Sequence, residues 1–481
     1  MIPERFRPVI EAMSPLAERF AAAGHRLYLV GGPVRDLLVG HERRVSDLDA
    51  TTDARPDTIK QLVSGWADAV WNQGERFGTI GAKRGDITFE ITTHRSETYR
   101  EDSRKPEVRF SDAIEEDLSR RDFTVNAMAL EVTATSPVLV DPYGGAADLA
   151  TRVLRTPLSP EVSFADDPLR MMRAARFIAG YGLEPVPELT AAVTAMASRL
   201  QIVSAERIRD ELDKLMVLDH PASGLWFYIE TGLAEHFLPE LTAMRLEQDP
   251  IHRHKDVLTH TIAVVENVQR DRASDFDFRR TRLAALFHDV GKPRTRGFAP
   301  GKGVTFHHHE VVGARMTRHR MKELRYSVDD VEAVTELVAL HLRFHTYQMG
   351  WTDSAVRRYV RDAGPLLQEL NVLTRCDCTT RNERKAAALS RRMDDLEKRI
   401  DELAAEEELA KIRPELDGRE VMEHLGVGPG RVVGAALSYL LEIRLDEGIL
   451  GRDEILRRLD DWWAQNTSGD GPMMQPSTES P

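Results

Sequence analysis

The sequence predicts a multidomain protein in which a small α/β head is followed by all-helical domains, and three observations carry that prediction. Residues 25–150 alternate apolar runs, glycine-rich turns and helical stretches, the pattern of a compact α/β layer. Beyond residue 151 the apolar spacing is helical. At 481 residues the chain exceeds what a single core serves, so about two to four domains are expected. Hydrophobic residues make up 42% and charged residues 30%, a balance that suits a soluble, helix-rich protein. No apolar run is long enough to span a bilayer, the N-terminal MIPERFRPVI has no signal-peptide core, and Cys376 and Cys378 exclude a disulfide framework. A reducing cytoplasm and no membrane partner are therefore expected. The net charge of −13 argues mildly against a nucleic-acid binder, although a local basic strip can serve a polyanion while the remainder stays acidic.

In order, residues 4–23 predict an amphipathic helix with Phe6, Val9, Ile10, Met13, Leu16 and Phe20 near helical spacing, which Pro15 kinks or divides. Residues 27–30 predict a buried strand; Gly31 and Gly32 turn the chain, and Pro33 suits the first turn of a helix. A helix N-terminus offers unpaired N–H groups and a positive dipole end, and glycines let a phosphate approach closely, so Gly32 is a candidate phosphate seat with Arg35 adding charge. In Ser46-Asp47-Leu48-Asp49, strand alternation puts Asp47 and Asp49 on one face, a hard-oxygen pair suited to Mg²⁺. Residues 53–69 predict a helix, and residues 71–80 and 86–92 predict strands, with Glu90 as a third carboxylate candidate. Residues 98–111, charged and interrupted by Pro106, predict a mobile loop. In residues 117–127, Arg121 and Asp122 either sit on the solvated face of an amphipathic helix or face a ligand.

Further on, Asp167, Arg170, Arg173 and Arg176 recur at steps of three, so that neighbours lie about 60° apart around a helix and converge pairwise. Asp167 and Arg170 form a template for a base edge: the acid accepts from the exocyclic amine shared by cytosine and adenine, and the guanidinium donates to ring acceptors. Asp before Pro is also a common cap, and that alternative stays open. Residues 204–216 predict a supporting helix without a full capping box.

These stretches, GGPVRDLLVG, DLD, RRDFTVNA and DDPLR, resemble the motifs of CCA-adding tRNA nucleotidyltransferases of class II and the related bacterial poly(A) polymerases, with Asp166 where the family usually has Glu. The resemblance implies a polymerase-β-like nucleotidyltransferase head and a helical neck. It implies Mg²⁺ held by catalytic Asp47 and Asp49, and nucleotide binding by Gly32, Arg35, Arg121, Asp167, Arg170, Arg173 and Arg176. It further implies tRNA, CTP and ATP as partners. A second constellation follows: His252, His254, His260, the adjacent His288-Asp289, His307, His308, His309, His341, His345 and Asp377. It resembles the HD phosphohydrolase pattern, with His260, His288, Asp289 and Asp377 as ligands of one metal and His309 and His341 completing a second site. Imidazole with carboxylate suits Mn²⁺, Fe²⁺ or Ni²⁺.

Residues 381–411, rich in Ala, Leu, Glu, Lys and Arg, predict a long solvated helix or hairpin, and residues 466–481 predict disorder. The expected division is an N-terminal helix at 1–24, the head at 25–150, a neck at 151–245, an HD domain at 246–380, a helical tail at 381–465 and the disordered end. Four functions fit: full CCA addition, poly(A) or partial (A-only or CC-only) addition, HD-based hydrolysis, or RNA binding without catalysis. Oligomeric state is not specified.

Overall fold

The computed structural model describes residues 3–467 except 41–45, 101–102, 247–255, 272–274, 300–302, 347–350, 380–382 and 407–411. His252, His254 and residues 468–481 lie outside the described residues. The chain divides into two units, residues 1–262 with 319–327, and residues 263–318 with 328–481.

In the first unit, helix Arg7–Ala22 runs unbroken through Pro15 and buries Val9, Met13, Leu16 and Phe20. The head is built on a mixed seven-stranded sheet. Its strands are β1 (Leu27–Val30), β2 (Asp47–Thr52), β3 (Ala69–Trp71), β4 (Thr79–Arg84), β5 (Ile87–Thr93), β8 (Ala129–Glu131) and β9 (Val138–Val140), in the order β3-β4-β5-β2-β1-β8-β9. β1 is buried along its whole length because it is central, whereas β2 alternates at its start, with Leu48 inward and Asp47 and Asp49 outward. β2 and β5 run parallel with Asp49 opposite Glu90, which brings the three acids onto one sheet surface.

Two expectations are corrected here. The strand predicted over 71–80 ends at Trp71; a turn and a 3-10 segment, Glu75–Phe77, intervene before β4. The loop predicted over 98–111 is an antiparallel hairpin of β6 (Arg95–Arg100) and β7 (Ser103–Phe110). A ladder of backbone hydrogen bonds requires no apolar pattern, and Pro106 falls where the register shifts, so its missing N–H costs little.

The neck is helical. Helix Leu169–Tyr181 buries Met171, Met172, Ala174, Ala175 and Phe177, and the Tyr228 hydroxyl donates to the Met172 carbonyl at 3.1 Å. Ser204 stands at the N-cap of helix Ala205–Met216 but makes no capping hydrogen bond through its side chain.

In the second unit, helix Phe278–Phe287 is the apolar run that ends in His288-Asp289. The predicted solvated helix is Glu383–Glu406, but one stripe of it is interior: Met393, Leu396 and Leu403 are buried, while Arg375 reaches Glu397 and Arg399 reaches Asp353 at 2.7 Å each. Leucines at helical spacing among charges read equally as a solvated helix or as an amphipathic one, and packing chose the second. Helices Gly418–Leu425, Arg431–Glu447 and Arg452–Thr467 close a separate core around Val421, Leu440 and Leu459.

Candidate active site

Gly31 takes a positive φ of 74°, a backbone conformation that glycine adopts without steric cost, and thereby turns β1 directly into helix Gly32–Val39. The resulting helix N-terminus opens into a cavity of about 470 Å³ whose walls include Gly31, Gly32, Asp49, Arg121, Asp167 and Arg170. Glu90, across from Asp49, has its pKa raised by burial and then by the charges of Asp49 and Asp47. Acids that repel one another on a sheet surface are a donor set that a hard divalent cation relieves, so the chemistry of Asp47, Asp49 and Glu90 fits the metal of the family resemblance.

The opposite wall is arginine-rich and built on two buried carboxylates. Asp117, fully buried, accepts from Arg120 at 3.0 Å and from Arg121 at 3.2 Å. Burial alone would raise its pKa, but the two guanidiniums outweigh burial and hold it below the usual range. Asp122 pairs with Arg173 at 2.6 Å and accepts from Asn126 at 2.9 Å, and again burial is outweighed, here by the charge of Arg173 and the Asn126 bond. These acids orient the arginines that face the cavity.

Asp167 makes the capping contact and also borders the cavity. Its Oδ1 accepts the Leu169 N–H at 3.2 Å, as a cap would, while its Oδ2 accepts from Arg207 at 2.7 Å beside the cavity. Arg170 is buried; it donates to Ser163 Oγ at 2.9 Å and to the Arg120 carbonyl, which pins its orientation.

Two expected nucleotide contacts are not in this cavity. Arg35 is buried, donating to Asn126 at 2.6 Å and Asp36 at 2.7 Å with its guanidinium 4.2 Å from the Tyr181 ring, so it braces the helix instead of facing phosphate. Arg176 donates to Glu211 at 2.9 Å. On helix Leu169–Tyr181, Arg176 lies six residues beyond Arg170, about 120° around the axis, so it points away from the side that Arg170 occupies. Conversely, Arg95, Arg120, Asn126 and Arg207 border the cavity. Arg120 and Asn126 lie inside the RRDFTVNA motif, whereas nothing in the local sequence around Arg95 or Arg207 distinguishes them from solvated charges.

In the second unit, His288, His309 and His341 share one device. The Nδ1 of each donates to the carbonyl three residues earlier, Ala285 at 2.8 Å, Phe306 at 2.8 Å and Val338 at 2.7 Å, which leaves Nε2 to face Asp289. His288 Nε2 lies 3.1 Å from Asp289 and 3.6 Å from Asp377; His309 Nε2 lies 3.3 Å from Asp289 and from His341 Nε2. Asp289, His309 and His341 thus bring ligand atoms within reach of one ion. Burial alone would lower the His288 pKa, but Asp289 and Asp377 raise it to about 10; burial and then His288 push His341 down to about 3. His260 is carried on helix Val257–Asn267, in the part of the chain assigned to the first unit.

A strand-borne acid pair beside a glycine-turned helix N-terminus, under a wall of arginines, defines a nucleotidyltransferase. Residues 27–155 match the poly(A) polymerase head domain, residues 182–245 the probable RNA- and SrmB-binding site of polymerase A, and residues 257–382 the HD domain. An A-adding tRNA nucleotidyltransferase of Deinococcus radiodurans is 35% identical over 92% of this chain and 96% of its own length. A CCA-adding enzyme of Bacillus subtilis is 40% identical over 46% of this chain and 54% of its own. The fold is that of the Bacillus stearothermophilus CCA-adding enzyme in complex with CTP, with a TM-score of 0.67 at 22% identity over 97% of this chain and 99% of that one. The Thermotoga maritima CCA-adding enzyme complexed with tRNA matches with a TM-score of 0.60 at 18% identity over 95% of this chain and 96% of that one. This chain belongs to the tRNA nucleotidyltransferase and poly(A) polymerase family and is a nucleotidyltransferase.

Proposed function

We propose that this protein adds CCA to the 3′ end of tRNA from CTP and ATP, without a nucleic-acid template, in the cytoplasm. The observation that carries the reading is that Gly31, Gly32, Asp49, Asp167 and Arg170 share one cavity, so a triphosphate seat, a reaction acid and a base-reading pair face the same ligand. Gly31 and Gly32 seat the triphosphate, Arg121 and Arg173 bind it, and Asp167 and Arg170 select the base. The tRNA 3′ hydroxyl then attacks the α-phosphorus and pyrophosphate leaves in line. Asp47, Asp49 and Glu90 are the residues that would hold magnesium, which when bound favours the ionised hydroxyl and neutralises the leaving group.

Supplying tRNA that lacks CCA with one nucleotide at a time tests this directly. Two additions from CTP, followed by one from ATP, are expected. Addition of A alone, and only to tRNA already ending in CC, would favour the second reading, partial addition, which the near full-length match to the Deinococcus A-adding enzyme supports. Asp167→Ala is expected to lower the preference for CTP and ATP over UTP and GTP by about tenfold to a hundredfold, the worth of one bidentate base contact. An unchanged preference would remove Asp167 from base selection.

His288, Asp289, His309, His341 and Asp377 are proposed to hold a transition metal that serves phosphate-ester hydrolysis as a second activity. His309→Ala is expected to weaken Mn²⁺ or Ni²⁺ retention about tenfold or more on dialysis while nucleotide addition continues. Equal metal content in variant and wild type would refute the site.

A further inference from the structure

Register places four residues in one row across the head sheet: Asp49 on β2 is opposite Glu90 on β5, Glu90 is opposite Gly81 on β4, and Gly81 is opposite Trp71 on β3. Directly opposed residues project from the same sheet face, so the indole of Trp71 stands on the surface that carries the acids. Gly81 is what allows the ring to lean toward them. A Cβ at Gly81 would lie 2.0 Å from Trp71 Cε2, so any other residue there would push the indole off the strand. Trp71 is nevertheless 36% exposed, so it covers the glycine without being consumed by the core. Beside it is a second cavity of about 300 Å³, lined by Trp71, Gln73, Thr79 and Glu90 and bounded by Phe77 and Arg95, both of which also border the nucleotide cavity.

The strand order gives this cavity a direction. In-line displacement needs the attacking hydroxyl and the leaving pyrophosphate on opposite sides of the α-phosphorus. The phosphate seat leaves the end of β1, on one side of β2; β5, β4 and β3, with Glu90, Gly81 and Trp71, lie on the other. The attacking hydroxyl must therefore arrive from the Trp71 side. The nucleotide that carries it changes after every addition, so its pocket has to tolerate different bases. Stacking on an aromatic face meets that need, because every base has a π-face, whereas a hydrogen-bond template does not.

We infer that the cavity beside Trp71 is the acceptor subsite, in which the 3′-terminal base of the RNA stacks on the indole and its hydroxyl is delivered over Glu90 toward Asp49. This inference rests on the nucleotidyl-transfer reading of the site, and the experiment separates the two. Initial rates are measured with a tRNA transcript that ends just before CCA, varying tRNA and CTP independently, for the wild type, Trp71→Ala and Trp71→Phe. In parallel, a transcript with 2-aminopurine as its 3′-terminal base reports stacking through fluorescence quenching, without turnover.

Trp71→Ala is expected to raise KM for tRNA about fivefold or more, the lower end of the contribution of one base–aromatic stack, and to lose the quench. KM for CTP should stay within about twofold, because Trp71 does not line the nucleotide cavity, and Trp71→Phe should restore most of both signals. An unchanged tRNA KM and quench in Trp71→Ala would overturn the subsite while leaving nucleotidyl transfer intact, as would a rise in both KM values together. A wild-type protein that incorporates neither CTP into this tRNA nor ATP into a tRNA already ending in CC would instead overturn the underlying activity.

Discussion

Replacing Asp49 with alanine is expected to cut nucleotide incorporation into tRNA by about a thousandfold or more, about 4 kcal/mol of barrier, with tRNA affinity unchanged. Asp49 is the carboxylate that borders the cavity and stands opposite Glu90, where the proposed mechanism develops charge. Its side chain faces outward, and its removal relieves the crowding that raises the Glu90 pKa, so the fold should not suffer. The sign follows: a carboxyl with a raised folded pKa favours the folded state less as pH climbs through its titration, so the variant should match or exceed wild-type stability at neutral pH. Incorporation assays and thermal denaturation at pH 7 check both halves. Retention of more than about a tenth of the activity would remove Asp49 from the reaction.

The second large effect is expected at Asp117. Asp117→Ala should destabilise the head by about 3–5 kcal/mol, because it strands the guanidiniums of Arg120 and Arg121 against a buried void. It should also raise KM for CTP and ATP, because both arginines border the cavity proposed to hold the nucleotide. Asp117→Asn keeps the shape but removes the charge and turns one accepting oxygen into an amide donor facing a guanidinium. The folded pKa of Asp117 is depressed, so its contribution is fully present above the unfolded carboxyl pKa and is lost as pH falls through the folded value. The stability gap between wild type and Asp117→Asn should therefore be wide at neutral pH and shrink in acid. A gap that is constant with pH would mean that the carboxylate charge is not what holds this wall together.

Much of the site was legible in the sequence because its chemistry is local. A strand, two glycines and a helix start make a helix N-terminus of the kind that seats phosphate within a few residues, and Asp47 and Asp49 share a strand face by backbone geometry alone. The His288-Asp289 pair could likewise be found by adjacency, whereas the carbonyl clamps on three histidines depend on where each helix turn falls.

What the sequence by itself determined, then, is the type of each group and its neighbours along one element, because strand and helix periods fix directions over a few residues. Tertiary structure alone decided which arginines face the cavity. Arg35 and Arg176 have the same composition signature as Arg121 and Arg173, but burial against Tyr181 and Glu211 turned them into braces. It also set Trp71, Gly81, Glu90 and Asp49 in one row, since pairing register joins residues that chain distance separates and no single stretch encodes.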